Sequence, residues 1–392
     1  MKRIWCILSI LVVCFTLTAK SQLTDSIESI IKKDTSLVLR EVFSHPEYYR
    51  LKIILTQVTT DSKGFKHQTT WSFRDTIKEY FYPASIAKIP LALSSLQFIN
   101  EKREITQDLS DFLIDSSSYI KERPIYDDLL LMLSASDNVA FNRLYNLVGS
   151  KYLNISLMKR GYLNTYLIHR FEKGDAAYHQ TALPVKVLTA RDCKAVYKHP
   201  KDTMYSLIQH DMRDSLIGIA YFQGDSLIPK PKSFRFHNFV DIRDAHDMMV
   251  TLKYPYLSNH KSFNITNWQR QKLIEDLSTS PLHLNTAEYS DTAIFHPNYL
   301  RFNLFGRDKK VKYPNIQYFN KSAMAYGFLG DCCYLYDSEN SVEFFLSIYM
   351  YVNKDEILND DKYDYDTIGL PFMKRLGEII YQEIKSNNRI AQ

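Results

Sequence analysis

Apolar residues recur at helical spacing in "TDSIESIIKK" (residues 24–33), with Thr24 or Asp25 as candidate caps. The pattern then changes period. "YYRLKIILTQVTT" (48–60), the polar "DSKG" and "FKHQTTWSF" (65–73) read as a strand, a turn and a returning strand. From Ser85 the periodicity is helical through "LALSSLQFINEK", and "PIYDDLLLMLSASDNVAFNRLYNLVG" (124–149) predicts two helical stretches broken around Ser134 to Asn138. Near the other end, "NIQYFNKSAMAYGFLGDCCYLYD" (315–337), the turn "SEN" and "SVEFFLSIYMYVN" (341–353) predict a second hairpin. An amphipathic helix from about Asp366 to Lys385 closes the chain.

Strands at both ends with helices between them imply an α/β fold. An antiparallel sheet is built from both chain ends and flanked by helices, with an all-helical lobe set into its middle. Residues 173–235 are polar and irregular, broken by "KHPKD" and "IPKPKS", and read as a surface insertion within one catalytic domain spanning 22–392. No internal repeat or low-complexity tract interrupts this plan.

Composition adds little to the fold but narrows the function. The chain has 392 residues, 45% hydrophobic, enough to bury a large core. Its formal charge of +5 comes from scattered residues, without the basic clusters that a nucleic-acid surface needs. The start, "MKRIWCILSILVVCFTLTAKSQ", has a basic end, a short apolar run and a small-x-small site at Ala19-Lys20-Ser21, the layout of a secretory signal peptide over residues 1–21. The expectation is an exported protein, periplasmic or secreted, with no membrane span left after cleavage. Val13 before Cys14 argues against a lipid-modified cysteine there. Cys193, Cys332 and Cys333 remain, too few for a disulfide framework, and adjacent strand residues point to opposite faces, so at most one of the pair could meet Cys193. The 11 histidines show no ligand spacing, so no metal or other cofactor is expected.

"YFYPASIAKIPLAL" (80–93) sets Ser85 and Lys88 one helical turn apart where an apolar helix begins. The pattern S-x-x-K alone is weak, since it also occurs at Ser29, Ser118, Ser156 and Ser258. At Ser85 it stands at a helix N-terminus, whose free N–H groups favour developing negative charge, and a desolvated Lys88 could take the hydroxyl proton. The plain alternative is a helix cap followed by a solvated lysine. Two further motifs follow in order: "SASDN", with Ser136, Asp137 and Asn138 at a helix break, and "NKSA" (320–323), leading into a hydrophobic strand.

S-x-x-K, S-D-N and K-S-A in this order resemble the S-x-x-K, S-D-N and K-T-G motifs of class A β-lactamases and penicillin-binding proteins. The resemblance runs from the first helix after the signal to the last helix, with 173–235 mostly outside it. It implies an acyl-enzyme mechanism on a small-molecule or peptide-like acyl substrate. Ser85 would be the nucleophile, Lys88 its activating partner, and Ser136 the proton donor to the leaving nitrogen. Asn138 would bind the substrate's amide, and Lys321 and Ser322 its carboxylate. The oxyanion would lie between the backbone N–H groups of Ser85 and Met324. Asp137 would brace its loop. Ala323 departs from the family's glycine, and its methyl would crowd a substrate lying along the strand.

"LIHRFEKGD" (167–175) resembles the loop that carries the water-activating glutamate of β-lactamases, with Arg170 and Glu172 in matching places. Beyond Glu172 the match ends, at Lys173, Gly174, Asp175 and Ala176. Two readings of Glu172 stay open, the base for deacylation or a solvated carboxylate. The function divides with it: β-lactam hydrolysis on one side, and on the other a penicillin-binding or D,D-peptidase-like relative, another amide or ester hydrolase, or a binding protein without turnover.

Overall fold

The computed structural model of the chain describes residues 26–76, 78–172, 180–199, 201, 215–258, 262–284 and 286–390. The expected signal segment, Cys14 and residues 173–176 lie outside them. So do Thr24 and Asp25, and the cap of the first helix is Ser26, whose hydroxyl accepts from Ser29 N at 3.3 Å.

Helices α1 (Ile27–Lys32) and α2 (Leu37–Ser44) precede the hairpin β1 (Lys52–Thr60) and β2 (Lys66–Phe73). The helical lobe holds α3 (Lys88–Glu101), α4 (Ile125–Leu130), α5 (Asn138–Val148) and α6 (Ser150–Lys159), with the short strands β3 (Phe112–Ile114) and β4 (Glu122–Pro124) between α3 and α4. Helix α3 is buried on every side from Lys88 to Ile99, as its nearly continuous apolar sequence requires.

Further along come β5 (Val185–Leu188), β6 (Ala195–His199), β7 (Leu216–Ile217), β8 (Ala220–Gln223), β9 (Ser226–Ile228) and β10 (Lys232–Ser233). Helices α7 (Ile242–Lys253) and α8 (Asn267–Ser278) return the chain to β11 (Gln317–Ala325), β12 (Phe328–Asp337) and β13 (Val342–Tyr351). The short β14 (Ile357–Leu358) and α9 (Leu370–Ile390) finish it.

The main sheet is antiparallel with strand order β11-β12-β13-β1-β2, so both chain ends do build it. One face, with Leu55, Leu346 and Leu329, packs on α9 through Met373 and Ile380. The other, with Ile54, Phe345 and Tyr349, packs toward Leu96 of the lobe and Met249 of α7.

Two expectations need correction. Residues 315–337 form two strands, so the second hairpin is a three-stranded meander. The missed turn is Tyr326-Gly327, both at positive φ (55° and 82°), inside an apolar run that conceals it. The insertion is also more ordered than its composition suggests: β5 and β6 extend β3 and β4 into a small sheet, and the β8–β9 hairpin pairs with β14. Strands of two to five residues are too short to show a period.

Among the described residues no helix is long and apolar enough to cross a membrane. Cys193 is exposed, Cys332 and Cys333 are buried, and all three are free.

Candidate active site

Ser85 lies in the 3₁₀ turn Ala84–Ala87, directly before α3, and Lys88 is the first residue of that helix. The preceding Ala84 is held at a φ of 40°, a strained conformation for a non-glycine residue, where the chain turns into the helix. Across from it, α4 runs into a π turn (Leu131–Ala135) that ends on Ser136 in the left-handed conformation (φ 60°, ψ 33°). Asp137 then caps α5, its carboxylate accepting from Ala140 N at 2.6 Å. This is the bracing role expected of it, and it fixes where Ser136 and Asn138 project.

The result is a compact polar cluster on a buried lysine. Lys88 Nζ lies 3.0 Å from Ser85 Oγ, 3.1 Å from Ser136 Oγ, 2.5 Å from Ser136 O and 2.8 Å from Asn138 Oδ1. Ser136 Oγ is 2.7 Å from Ser85 Oγ. Lys88 is 0% exposed. Burial first, then the nearby Lys321 charge, hold it well below the ordinary lysine range, with Asp137 pulling the other way. A neutral amine has two N–H bonds and one lone pair. Ser136 O and Asn138 Oδ1 can only accept, so they take the two N–H bonds, and the lone pair is left for a hydroxyl. The geometry therefore suits Lys88 as an acceptor of the Ser85 proton.

Lys321, on the edge strand β11, is 1% exposed, and burial pulls it down to about 7 against the opposing pull of Asp331. Strand alternation puts Ser322 on the opposite face. Its Oγ is buried without a hydrogen-bond partner among the described residues. Lys321 and Ser322 nevertheless border one narrow crevice, together with Ser134 and Arg301. Arg301 escaped sequence reasoning because it stands in an irregular stretch with no motif. Its guanidinium lies over the rings of Phe305 and Tyr318 and donates to Ser278 O. Ala323 is 4% exposed within the core between sheet and lobe, and is not among the residues lining the cavity described next.

A cavity of about 730 Å³ opens beside the cluster, with Asn138, Glu172 and Met324 in its wall. The loop carrying Glu172 is clamped by three asparagine side chains. Asn154 bonds both Leu167 N and Leu167 O, Asn238 accepts from Ile168 N and His169 N and donates to His169 O, and Asn142 bonds both Phe171 N and Phe171 O. These positions also went unread, since a single asparagine on a helix or loop carries no pattern of its own. The Phe171 ring sits 5.5 Å from Lys88 Nζ. Arg170 Nε donates to Glu172 Oε1 at 2.5 Å, and Arg170 also reaches Thr181 O. Among the described residues no group of histidine, cysteine and acidic side chains could hold a metal ion.

Comparison with known proteins points the same way. A model of the β-lactamase enzyme family matches residues 56–218, which include Ser85, Lys88, Ser136, Asn138 and Glu172. No curated protein sequence matches the chain. Among solved structures, a β-lactamase from Desulfarculus baarsii superimposes with a TM-score of 0.50 at 14% identity, covering 91% of this chain and 98% of that one. A β-lactamase from Burkholderia vietnamiensis gives 0.50 at 10% identity, with coverages of 90% and 96%. The chain has a β-lactamase-like fold.

Proposed function

We propose that the protein is a serine hydrolase acting through an acyl-enzyme on Ser85, with β-lactams as its substrate class. The observation that carries this reading is Lys88, fully buried yet within hydrogen-bond reach of both serine hydroxyls. Lys88 takes the Ser85 proton as Oγ attacks the carbonyl carbon. The backbone N–H groups of Ser85 and Met324 receive the oxyanion. As the C–N bond breaks, Ser136 passes a proton to the leaving nitrogen and is reprotonated from Lys88, to which it is hydrogen-bonded. Lys321, Ser322 and the adjoining Arg301 hold the substrate carboxylate, and Asn138 its amide. Water activated by Glu172 then releases the acyl group. The N-terminal leader pattern supports export, with the reaction taking place in the periplasm or outside the cell.

Arg170 favours a second reading. It engages one of the two Glu172 oxygens that would take a proton from water, as suits a penicillin-binding relative in which the acyl group persists. Intact-protein mass followed over time after mixing with a penicillin separates the two. The primary reading expects an adduct that forms and decays as ring-opened product accumulates, whereas a persistent adduct supports the second. Neither adduct nor ring opening refutes both.

A further inference from the structure

One wall of the cavity is built by β14 and the segment that follows it. β14 pairs in parallel with β8 of the insertion, and Asn359 Nδ2 donates to Phe222 O at 3.0 Å. This pairing holds the segment between β14 and α9 at the cavity mouth, where it presents Tyr363, Tyr365, Asp361 and Asp366. The two tyrosine rings lie 5.2 Å apart, and each hydroxyl is fixed by a backbone N–H, from Asn359 at 2.7 Å and Gly327 at 2.8 Å. Tyr82 and Tyr326, in edge contact at 5.3 Å, add further aromatic surface.

Asp361 and Asp366 are exposed and have no ion-pair or hydrogen-bond partner among the described residues. A second observation is independent of them. His237 lines the same cavity at 7% exposure, and its Nδ1 has no hydrogen-bond partner among the described residues. Burial and the neighbouring His169 and Lys232 pull its pKa down to about 2, so it is a neutral ring able to accept a hydrogen bond. Of the cations nearby, Arg170 lines the cavity but is paired with Glu172, and Lys232 lies over the Tyr221 and Tyr326 rings and is not among the lining residues.

Aromatic faces, two carboxylates and an unfilled acceptor form a surface that attracts an ammonium group and repels an anion. Earlier on β11, Lys321 borders a separate crevice together with Arg301, while Met324 and Ala325 of the same strand line the cavity. We propose that the substrate is dipolar, with its carboxylate at the Lys321 end and an ammonium group on its acyl side chain held between the tyrosine rings and Asp361 and Asp366. This rests on the reading of Ser85 as the acylated residue, which sets which half of the substrate enters the cavity.

The test uses Ser85→Ala, so that binding is read without acylation. Two penicillins are titrated by calorimetry, one with an α-ammonium group on its phenylacetyl side chain and one lacking only that amine. The ammonium form should bind about tenfold more tightly. Adding Asp361→Asn and Asp366→Asn should bring the ratio to within about twofold. Equal affinities in Ser85→Ala, a ratio that survives the double replacement, or no binding of the ammonium form at millimolar concentration would each overturn the proposal. Labelling of wild-type Ser85 by the penicillin without the amine, scored separately, reports on the hydrolase reading. If Ser85 is labelled but the affinity ratio is one, only the dipolar-substrate proposal fails. If the ratio holds and Ser85 stays unlabelled, only the hydrolase reading fails.

Discussion

Lys88 Nζ stands 3.0 Å from Ser85 Oγ, and burial first, then the charge of Lys321 on the edge strand of the same site, lower the affinity of Lys88 for a proton. In the proposed mechanism the two lysines have opposite tasks: Lys88 must be neutral to accept the serine proton, and Lys321 must be charged to hold a carboxylate. The rate of acylation at low substrate should therefore be bell-shaped in pH. It falls on acidification, as Lys88 is protonated below its lowered pKa, and falls again above about 7, where Lys321 loses its charge. Lys321→Arg should move the alkaline limb up by several units, because a guanidinium stays charged. An alkaline limb that is unchanged in that variant would remove Lys321 from carboxylate binding.

In the proposed mechanism Glu172 is needed for only one of the two chemical steps. Glu172→Gln keeps the side-chain shape but cannot take a proton from water, so Ser85 should acylate at close to the wild-type rate. Deacylation should slow by about 10²–10⁴-fold. Stopped-flow acylation combined with adduct lifetime checks this. Equal lifetimes in the two proteins would make Glu172 a loop carboxylate held by Arg170.

Away from the site, His246 joins the sheet to α7, its Nε2 2.8 Å from Thr56 Oγ1 and its Nδ1 2.9 Å from Ser347 Oγ. Burial pulls its pKa down to about 3, below the ordinary value of 6.5. The unfolded chain therefore binds a proton that the folded chain refuses between these values. This group's contribution is fully present above about 6.5 and falls by about 1.4 kcal/mol per unit as pH drops toward about 3. In His246→Gln, denaturant unfolding should show lower stability at pH 7 and a shallower decline on acidification. An unchanged decline would assign acid sensitivity to other groups.

Much of this site is legible in the sequence because its chemistry is local. Ser85 and Lys88 share one helical turn, and Ser136, Asp137 and Asn138 share one helix break, so backbone geometry alone brings each set together. Lys321 could be placed on a strand because its neighbours are apolar. The Tyr326-Gly327 turn stayed hidden because its flanks are as apolar as the strands it joins. Asn142, Asn154 and Asn238 clamp the Glu172 loop from three different segments, and nothing local marks them. The acidic, aromatic cavity wall is the clearest case. Asp361, Tyr363 and Tyr365 meet the rest of the site only because β14 pairs with a strand more than a hundred residues earlier, a partnership decided by tertiary packing.

The central claim is that Ser85 is acylated because Lys88 activates it, and the most direct measurement is acid-quenched peptide mapping of a penicillin adduct in wild type, Ser85→Ala and Lys88→Arg. The adduct should sit on the peptide containing Ser85 in the wild type and be absent in Ser85→Ala. In Lys88→Arg, whose guanidinium cannot serve as a base, it should form about 10²–10⁴-fold more slowly. An adduct on any other residue, labelling that persists in Ser85→Ala, or wild-type acylation rates in Lys88→Arg would contradict the account.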